Sequence, residues 1–298
     1  MPERRIRATG AHARYFLPHP TPWPVMISAG LFVLAIGFVL TINALGAGPW
    51  LMSIGALVVV TLIFRWFRRV IIESESGAYS YRVDRTFRWG MSWFIFSEVA
   101  FFAALFGVLF YLRHFALPGL AANDSLWPGF QAIWPTAGPR GPVAIEPDIM
   151  PGPNQFSPMG AWGIPAVNTL ILMSSAVTMT WAHWGLLRND RARLITGLFV
   201  TLALGVSFLA LQSFDYVRAY KELGLTLSTG VYGATFFVLT GFHGLHVALG
   251  AIMLLVILGR ALKGHFRPDN HFAFEAVSWY WHFVDVVWLF LFVFVYWL

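Results

Sequence analysis

Few residues in this chain can do chemistry, and most of them lie inside long apolar runs. Glu98, in Phe96-Ser97-Glu98-Val99-Ala100-Phe101-Phe102, is ten residues beyond Arg88. At 1.5 Å per helical residue its carboxyl is about 15 Å into the third apolar run, near the middle of a bilayer. A carboxyl at that depth marks a proton relay, an ion site or a buried hydrogen bond, and desolvation there favours the uncharged acid. The sequence displays no chain of further carriers beside it, so an acid bonded to a neighbouring helix accounts for it more simply than a relay.

The last run contains Phe274-Glu275-Ala276-Val277-Ser278-Trp279-Tyr280-Trp281-His282-Phe283-Val284-Asp285. On a helix Glu275, Ser278, Trp279, His282 and Asp285 recur at three- and four-residue intervals and share a face, which is expected to turn toward protein. Interhelical hydrogen bonding explains such a stripe, and a ligand or proton path is the alternative. His183, His243, His246 and His282 raise the question of haem or metal, since imidazole is a common axial ligand. His243 and His246 are three residues apart and cannot grip a haem from opposite faces, though each can pair with another helix. Interior hydrogen-bonded histidines are the simpler expectation, with no metal in this chain. Trp66, Arg68, Arg69, Arg88 and Arg260 border apolar runs, where aromatics beside arginines suit anionic lipid headgroups. Gly230, Gly233, Gly241, Gly244 and Gly250 fit close helix packing in the sixth run.

The elements that must position these groups are membrane helices. Of 298 residues, 58% are hydrophobic and 11% charged, against about a quarter charged in ordinary soluble domains. A span needs about 20 apolar residues, and seven segments qualify: 24–45, 50–67, 89–115, 164–187, 194–216, 229–262 and 272–298. Pro24 and Pro49 suit the first turn of a helix, and Gly46 and Gly48 punctuate a tight connection, so the first two spans are expected to form a hairpin. The Pro- and Gly-rich stretch 117–163, with Trp127, Phe130 and Trp134, reads as one extramembrane loop. The chain is therefore expected to be one all-helical membrane domain over 1–298. Its parts are a segment 1–23, helices 1 and 2 within 24–72, and helices 3 to 7 within 88–298.

Charge sets the expected orientation. With the N-terminus inside, only Arg113, Arg140, Arg218 and Lys221 fall outside, leaving 16 of the 20 basic residues on the inner side. The N-terminus is thus expected in the cytoplasm and the C-terminus across the membrane. The net charge of +6 belongs to these dispersed flanking residues and does not indicate nucleic acid. The absence of cysteine excludes disulfides, thiolate catalysis, iron–sulfur clusters and cysteine-held zinc. The basic N-terminal segment lacks the short apolar core and small-residue cleavage site of a signal peptide, so it is expected to be retained. A secondary transporter using Glu98 and Asp285 is a competing reading, but the inverted repeats and broken helices of such folds are not evident.

Several of these stretches resemble cytochrome c oxidase subunit III. They include Pro20-Thr21-Pro22-Trp23-Pro24, Arg88-Trp89-Gly90-Met91, Ser97-Glu98-Val99, Thr180-Trp181-Ala182-His183 and Leu211-Gln212. Thr240-Gly241-Phe242-His243-Gly244-Leu245-His246 and Trp279-Tyr280-Trp281-His282-Phe283-Val284-Asp285-Val286-Val287-Trp288-Leu289 extend the likeness to the C-terminus. The resemblance implies two helices and five helices separated by a cleft that holds phospholipid, in a subunit with no redox centre. It implies packing on subunit I, which contains haem and copper, beside subunit II, which takes electrons from cytochrome c. It further implies support of oxygen reduction, proton pumping and proton uptake, and protection of the active site during turnover. By position, Glu98 matches the family's intramembrane carboxyl, and Trp66, Arg68, Arg88 and Arg260 match lipid-associated positions. Arg69 in place of aspartate, Ala78-Tyr79 in place of a histidine pair, and Asp215 in place of glutamate depart from the pattern. A quinol-oxidase subunit III is the nearest alternative; it commonly lacks the first two spans, so their presence favours cytochrome c. The extended outer loop points to a bacterial plasma membrane.

Overall fold

The computed structural model describes residues 21–139 and 156–298. Residues 1–20, with Arg4, Arg5, Arg7, Arg14 and Pro20, and residues 140–155, with Arg140, lie outside the described residues. Among the described residues seven helices are long and apolar enough to cross a membrane, and no strand forms. They are α1 (Trp23–Ile42), α2 (Gly48–Glu75), α3 (Tyr81–Tyr111), α4 (Ile164–Leu187), α5 (Arg191–Lys221), α6 (Gly230–Leu262) and α7 (Phe272–Leu291). Helix α3 continues through a π-type turn at Leu112–Ala116 and a short α-turn at Leu117–Ala121, and α7 continues as π-type turns at Phe292–Trp297.

Several of these helices extend beyond the apolar runs read from the sequence. Helix α2 runs eight residues past Phe67 to Glu75, with Arg69 paired to Glu73 at 2.9 Å across one turn. The loop expected from Leu117 starts later, because the helical backbone of α3 carries on through the π-type turn at Leu112–Ala116 and past Pro118 to Ala121. At α5 the helix begins before the apolar run: the Asp190 carboxylate accepts from the Arg193 backbone N–H at 3.0 Å.

The chain divides into two compact units, Met1–Trp89 and Gly90–Leu298. In the first, α1 and α2 form a hairpin whose backbones nearly touch. A Cβ on Gly55 would lie 2.5 Å from the Leu34 nitrogen, and one on Gly37 would enter the backbone of Met52. Gly30 and Gly37 on α1, and Gly48 and Gly55 on α2, each recur after seven residues, placing them on one helix face. Close approach matters in lipid because two apolar helices gain no hydrophobic energy there and rely on van der Waals contact. Between α2 and α3 the Tyr79 hydroxyl donates to Glu73 Oε2 at 3.0 Å. Burial, reinforced by that carboxylate, pushes the phenol up to about 12, so it remains a donor at neutral pH.

The second unit has its core among α3 to α7. Helices α4 and α5 form a tight pair, with Gly185 against Leu194 and Gly197 against Ala182. Helix α7 is fastened to α4 by indole donors: Trp281 Nε1 to Ser175 Oγ and Trp288 Nε1 to Thr169 Oγ1, both at 2.9 Å. The Trp281 ring lies between α5 and α6, where a Cβ on Gly205 would meet it at 2.5 Å and one on Gly250 at 2.9 Å. Gly244, read from sequence as a packing glycine, faces open space. The described part of the long loop docks on the start of α6: Val231 and Tyr232 backbone N–H groups donate to the Ala137 and Thr136 carbonyls, and Trp134 packs on Tyr232.

Candidate functional site

Glu98 does not stand alone. Helix α6 brings His246 to it, with Nε2 to Oε2 at 2.9 Å, both side chains mostly buried. The aromatic surroundings come from two helices: Phe101 of α3 stacks on the imidazole, Phe102 beside it meets the ring edge at 5.0 Å, and Tyr280 of α7 donates its hydroxyl to the His246 carbonyl. These rings pack around the imidazole, beside the polar contact that joins α3 to α6.

The protonation pattern follows from the partner atoms. His246 Nδ1 lies 2.6 Å from the Phe242 carbonyl, which can only accept, so Nδ1 carries a hydrogen. The Nε2–Glu98 contact then holds one proton: either the protonated acid donates to a neutral imidazole, or an imidazolium donates to the carboxylate. Both forms are neutral overall, which limits the penalty of placing ionisable groups in lipid. The pair can hold a proton, but continued transfer needs a further acceptor; Tyr280, its polar neighbour on α7, is turned to a backbone carbonyl.

The histidines and carboxyls expected to form a packing network fall into separate clusters. His243 is buried on α6, with Nε2 donating to the Val284 carbonyl of α7 at 3.2 Å. Phe208 and Trp288 pack around its ring at 5.7 and 5.2 Å, leaving no slot for a macrocycle. His282 is 3.5 Å from Asp285, an ion-pair distance within one helix. His183 of α4 lies instead with His271 and Glu275 at the start of α7, their ligand-type atoms within 4.8 Å of one another. His271 escaped the sequence reading; its four-residue spacing from Glu275 was the available signal.

The polar stripe on α7 is also divided by the fold. Ser278 and Asp285 turn into the bundle, whereas Trp279 is 37% exposed and the His282 side chain 39%. Within this chain the stripe straddles the edge of the buried face, which centres on Trp281, Val284 and Trp288. Asp215, buried in α5, has neither carboxylate oxygen hydrogen-bonded among the described residues. Gln212, one turn earlier, joins α4 and the end of α7 by accepting from Asn168 Nδ2 at 3.4 Å and donating to the Tyr296 hydroxyl at 3.1 Å.

The basic residues matched to lipid positions differ in their surroundings. Trp66 and Arg68 are exposed on α2, and Arg88 on α3 is half-exposed beside Asp84 at 2.8 Å. Arg260 is buried near the end of α6, its guanidinium 4.7 Å over the Phe266 ring.

A sequence profile described as "Cytochrome c oxidase subunit III" matches residues 12–140 and 143–298. The chain is 37% identical over 284 residues to cytochrome c oxidase subunit 3 of Papio hamadryas, covering 95% of this chain and 96% of that one. It is 39% identical over 286 residues to the subunit of Marchantia polymorpha and 38% over 284 to that of Branchiostoma lanceolatum, with the same coverage.

Proposed function

The chain belongs to the cytochrome c oxidase subunit III family, and from that premise we propose that it serves as a non-redox scaffold of the oxidase complex. It is an integral membrane protein of an oxidoreductase assembly. In this reading it packs on subunit I, next to subunit II, binds phospholipid, and maintains proton uptake and the stability of the oxygen-reducing site. Haem and copper belong to the partner subunits. The observation that carries the proposal is the Glu98–His246 contact, which joins α3 to α6 and engages the carboxyl of the third span in a bond between helices. A complex stripped of this chain is expected to retain its haem and copper and to reduce oxygen at first, then to inactivate faster during turnover. Spectra and oxygen consumption check this, and loss of haem together with the chain would overturn it.

Phospholipid binding is assigned to Trp66, Arg68, Arg88 and Arg260. Each cation at a membrane surface contributes about 1 kcal/mol toward anionic lipid. Replacing Arg68, Arg88 and Arg260 together with Ala is expected to deplete anionic lipid from the purified complex, as read by mass spectrometry; unchanged lipid content rejects the assignment. The distribution of basic residues supports a cytoplasmic N-terminus and a C-terminus on the far side of a bacterial plasma membrane. Reporter fusions at Leu298 should be active only in a domain that functions outside the cytoplasm. The presence of α1 and α2 supports cytochrome c over quinol as donor to the complex.

A further inference from the structure

We propose that His183, His271 and Glu275 form a divalent transition-metal site, of zinc type, that ties the end of α4 to the start of α7. Two imidazoles and one carboxylate are a ligand set suited to zinc, which leaves a fourth position for water. Their ligand atoms already lie within 4.8 Å of one another, although His183 is 88 residues from His271 in sequence. His271 Nε2 and Glu275 Oε1 are 3.3 Å apart, close to the edge of about 3.4 Å for a tetrahedron with zinc bonds near 2.1 Å.

The hydrogen bonds favour a cation between these atoms. His271 Nδ1 lies 3.1 Å from the Arg267 carbonyl and must donate to it, since a carbonyl only accepts. That bond fixes the tautomer in which Nε2 of a neutral ring carries a lone pair, and Nε2 faces a carboxylate oxygen. Two electron pairs at 3.3 Å repel unless a proton or a metal ion lies between them. A proton on His271 relieves this contact, but it leaves His183 Nε2 unanswered: that atom is buried with no hydrogen-bond partner among the described residues. A metal ion accepts the lone pairs of both imidazole nitrogens, with the Glu275 carboxylate beside them. Phe274 packs at 5.3 Å from His183 and shields the site from one side.

The experiment uses the complex purified through a tag on this chain, dialysed against buffered Zn2+, with bound zinc counted by mass spectrometry. The unaltered complex is expected to hold one more zinc per chain than Glu275→Gln or His183→Ala, each binding at least about tenfold more weakly. X-ray absorption of the difference zinc should report two imidazoles and oxygen neighbours. Glu275→Gln is nearly isosteric, so it keeps the test decisive if His183→Ala disturbs assembly. Equal zinc content and affinity in the unaltered complex and in folded Glu275→Gln would overturn the site and identify the cluster as a proton-bridged His271–Glu275 pair beside a second histidine, His183.

Discussion

Trp281→Ala is expected to lower the stability of the five-helix unit by about 3 kcal/mol or more, the range for emptying a core position of a large aromatic. In lipid the loss comes from packing and hydrogen bonding, because apolar surface exposed to acyl chains is not penalised as it is in water. Trp281 is fully buried, donates to Ser175 on α4, and fills the space left by Gly205 on α5 and Gly250 on α6. One side chain therefore sets the spacing of four helices. Gly205→Ala would push a methyl to 2.5 Å from the benzo edge of the indole, an overpacking of about 1–3 kcal/mol. In a Trp281→Phe background that edge is missing, so the same Gly205→Ala should be much milder, a non-additivity expected only for residues in contact. Thermal denaturation of the purified complex, followed by release of this chain, measures each variant. Equal effects of Gly205→Ala in both backgrounds would show that the indole does not set the α5 spacing.

The second large effect concerns Glu98 and His246, and its sign depends on what remains after substitution. Glu98→Gln keeps a donor for the imidazole Nε2 while removing ionisation, so turnover and the ratio of protons pumped to electrons consumed should survive. His246→Ala leaves the Glu98 carboxyl without its hydrogen-bond partner on α6, and Glu98→Leu leaves the imidazole so. Each orphaned buried group costs about 1 to 3 kcal/mol, and weaker retention of this chain in the complex is the expected symptom. The double variant Glu98→Leu with His246→Leu should recover part of the loss, because neither partner is then left unsatisfied. Pumping assays in vesicles decide between a structural and a proton-carrying pair: if Glu98→Gln abolishes pumping while the chain stays bound, the pair is a relay.

The Glu98 pair shows how a membrane subunit can place an ionisable group between two of its helices. A carboxyl near the middle of a membrane helix is expensive alone, and an imidazole that shares one proton with it makes the two neutral together. The rings of Phe101, Phe102 and Tyr280 pack around the imidazole and hold it beside the carboxyl. The same arrangement turns a liability into a directional link between α3 and α6, something apolar side chains facing lipid do not supply.

Much of this molecule was determined by sequence alone. Apolar runs of about 20 residues set the number of helices, because a bilayer admits only segments that satisfy their own backbone hydrogen bonds. Pro24 and Pro49 marked the first turns of α1 and α2, since proline's missing N–H is harmless there. Glu98 was conspicuous because its depth makes any ionisable group exceptional. Tertiary structure decided the rest. His246 as the partner of Glu98 is 148 residues away in sequence, and no periodicity on one helix specifies the rotation of another against it. The same holds for the His183, His271 and Glu275 cluster, whose members meet only after α5 and α6 have folded between them. Gly205 and Gly250 looked like any small residues in membrane helices, and only the position of Trp281 distinguishes them from Gly244, which touches nothing. The stripe on α7 shows the physical reason: spacing along a helix states which residues share a face, but the packing of neighbouring helices decides where that face is cut between protein and lipid.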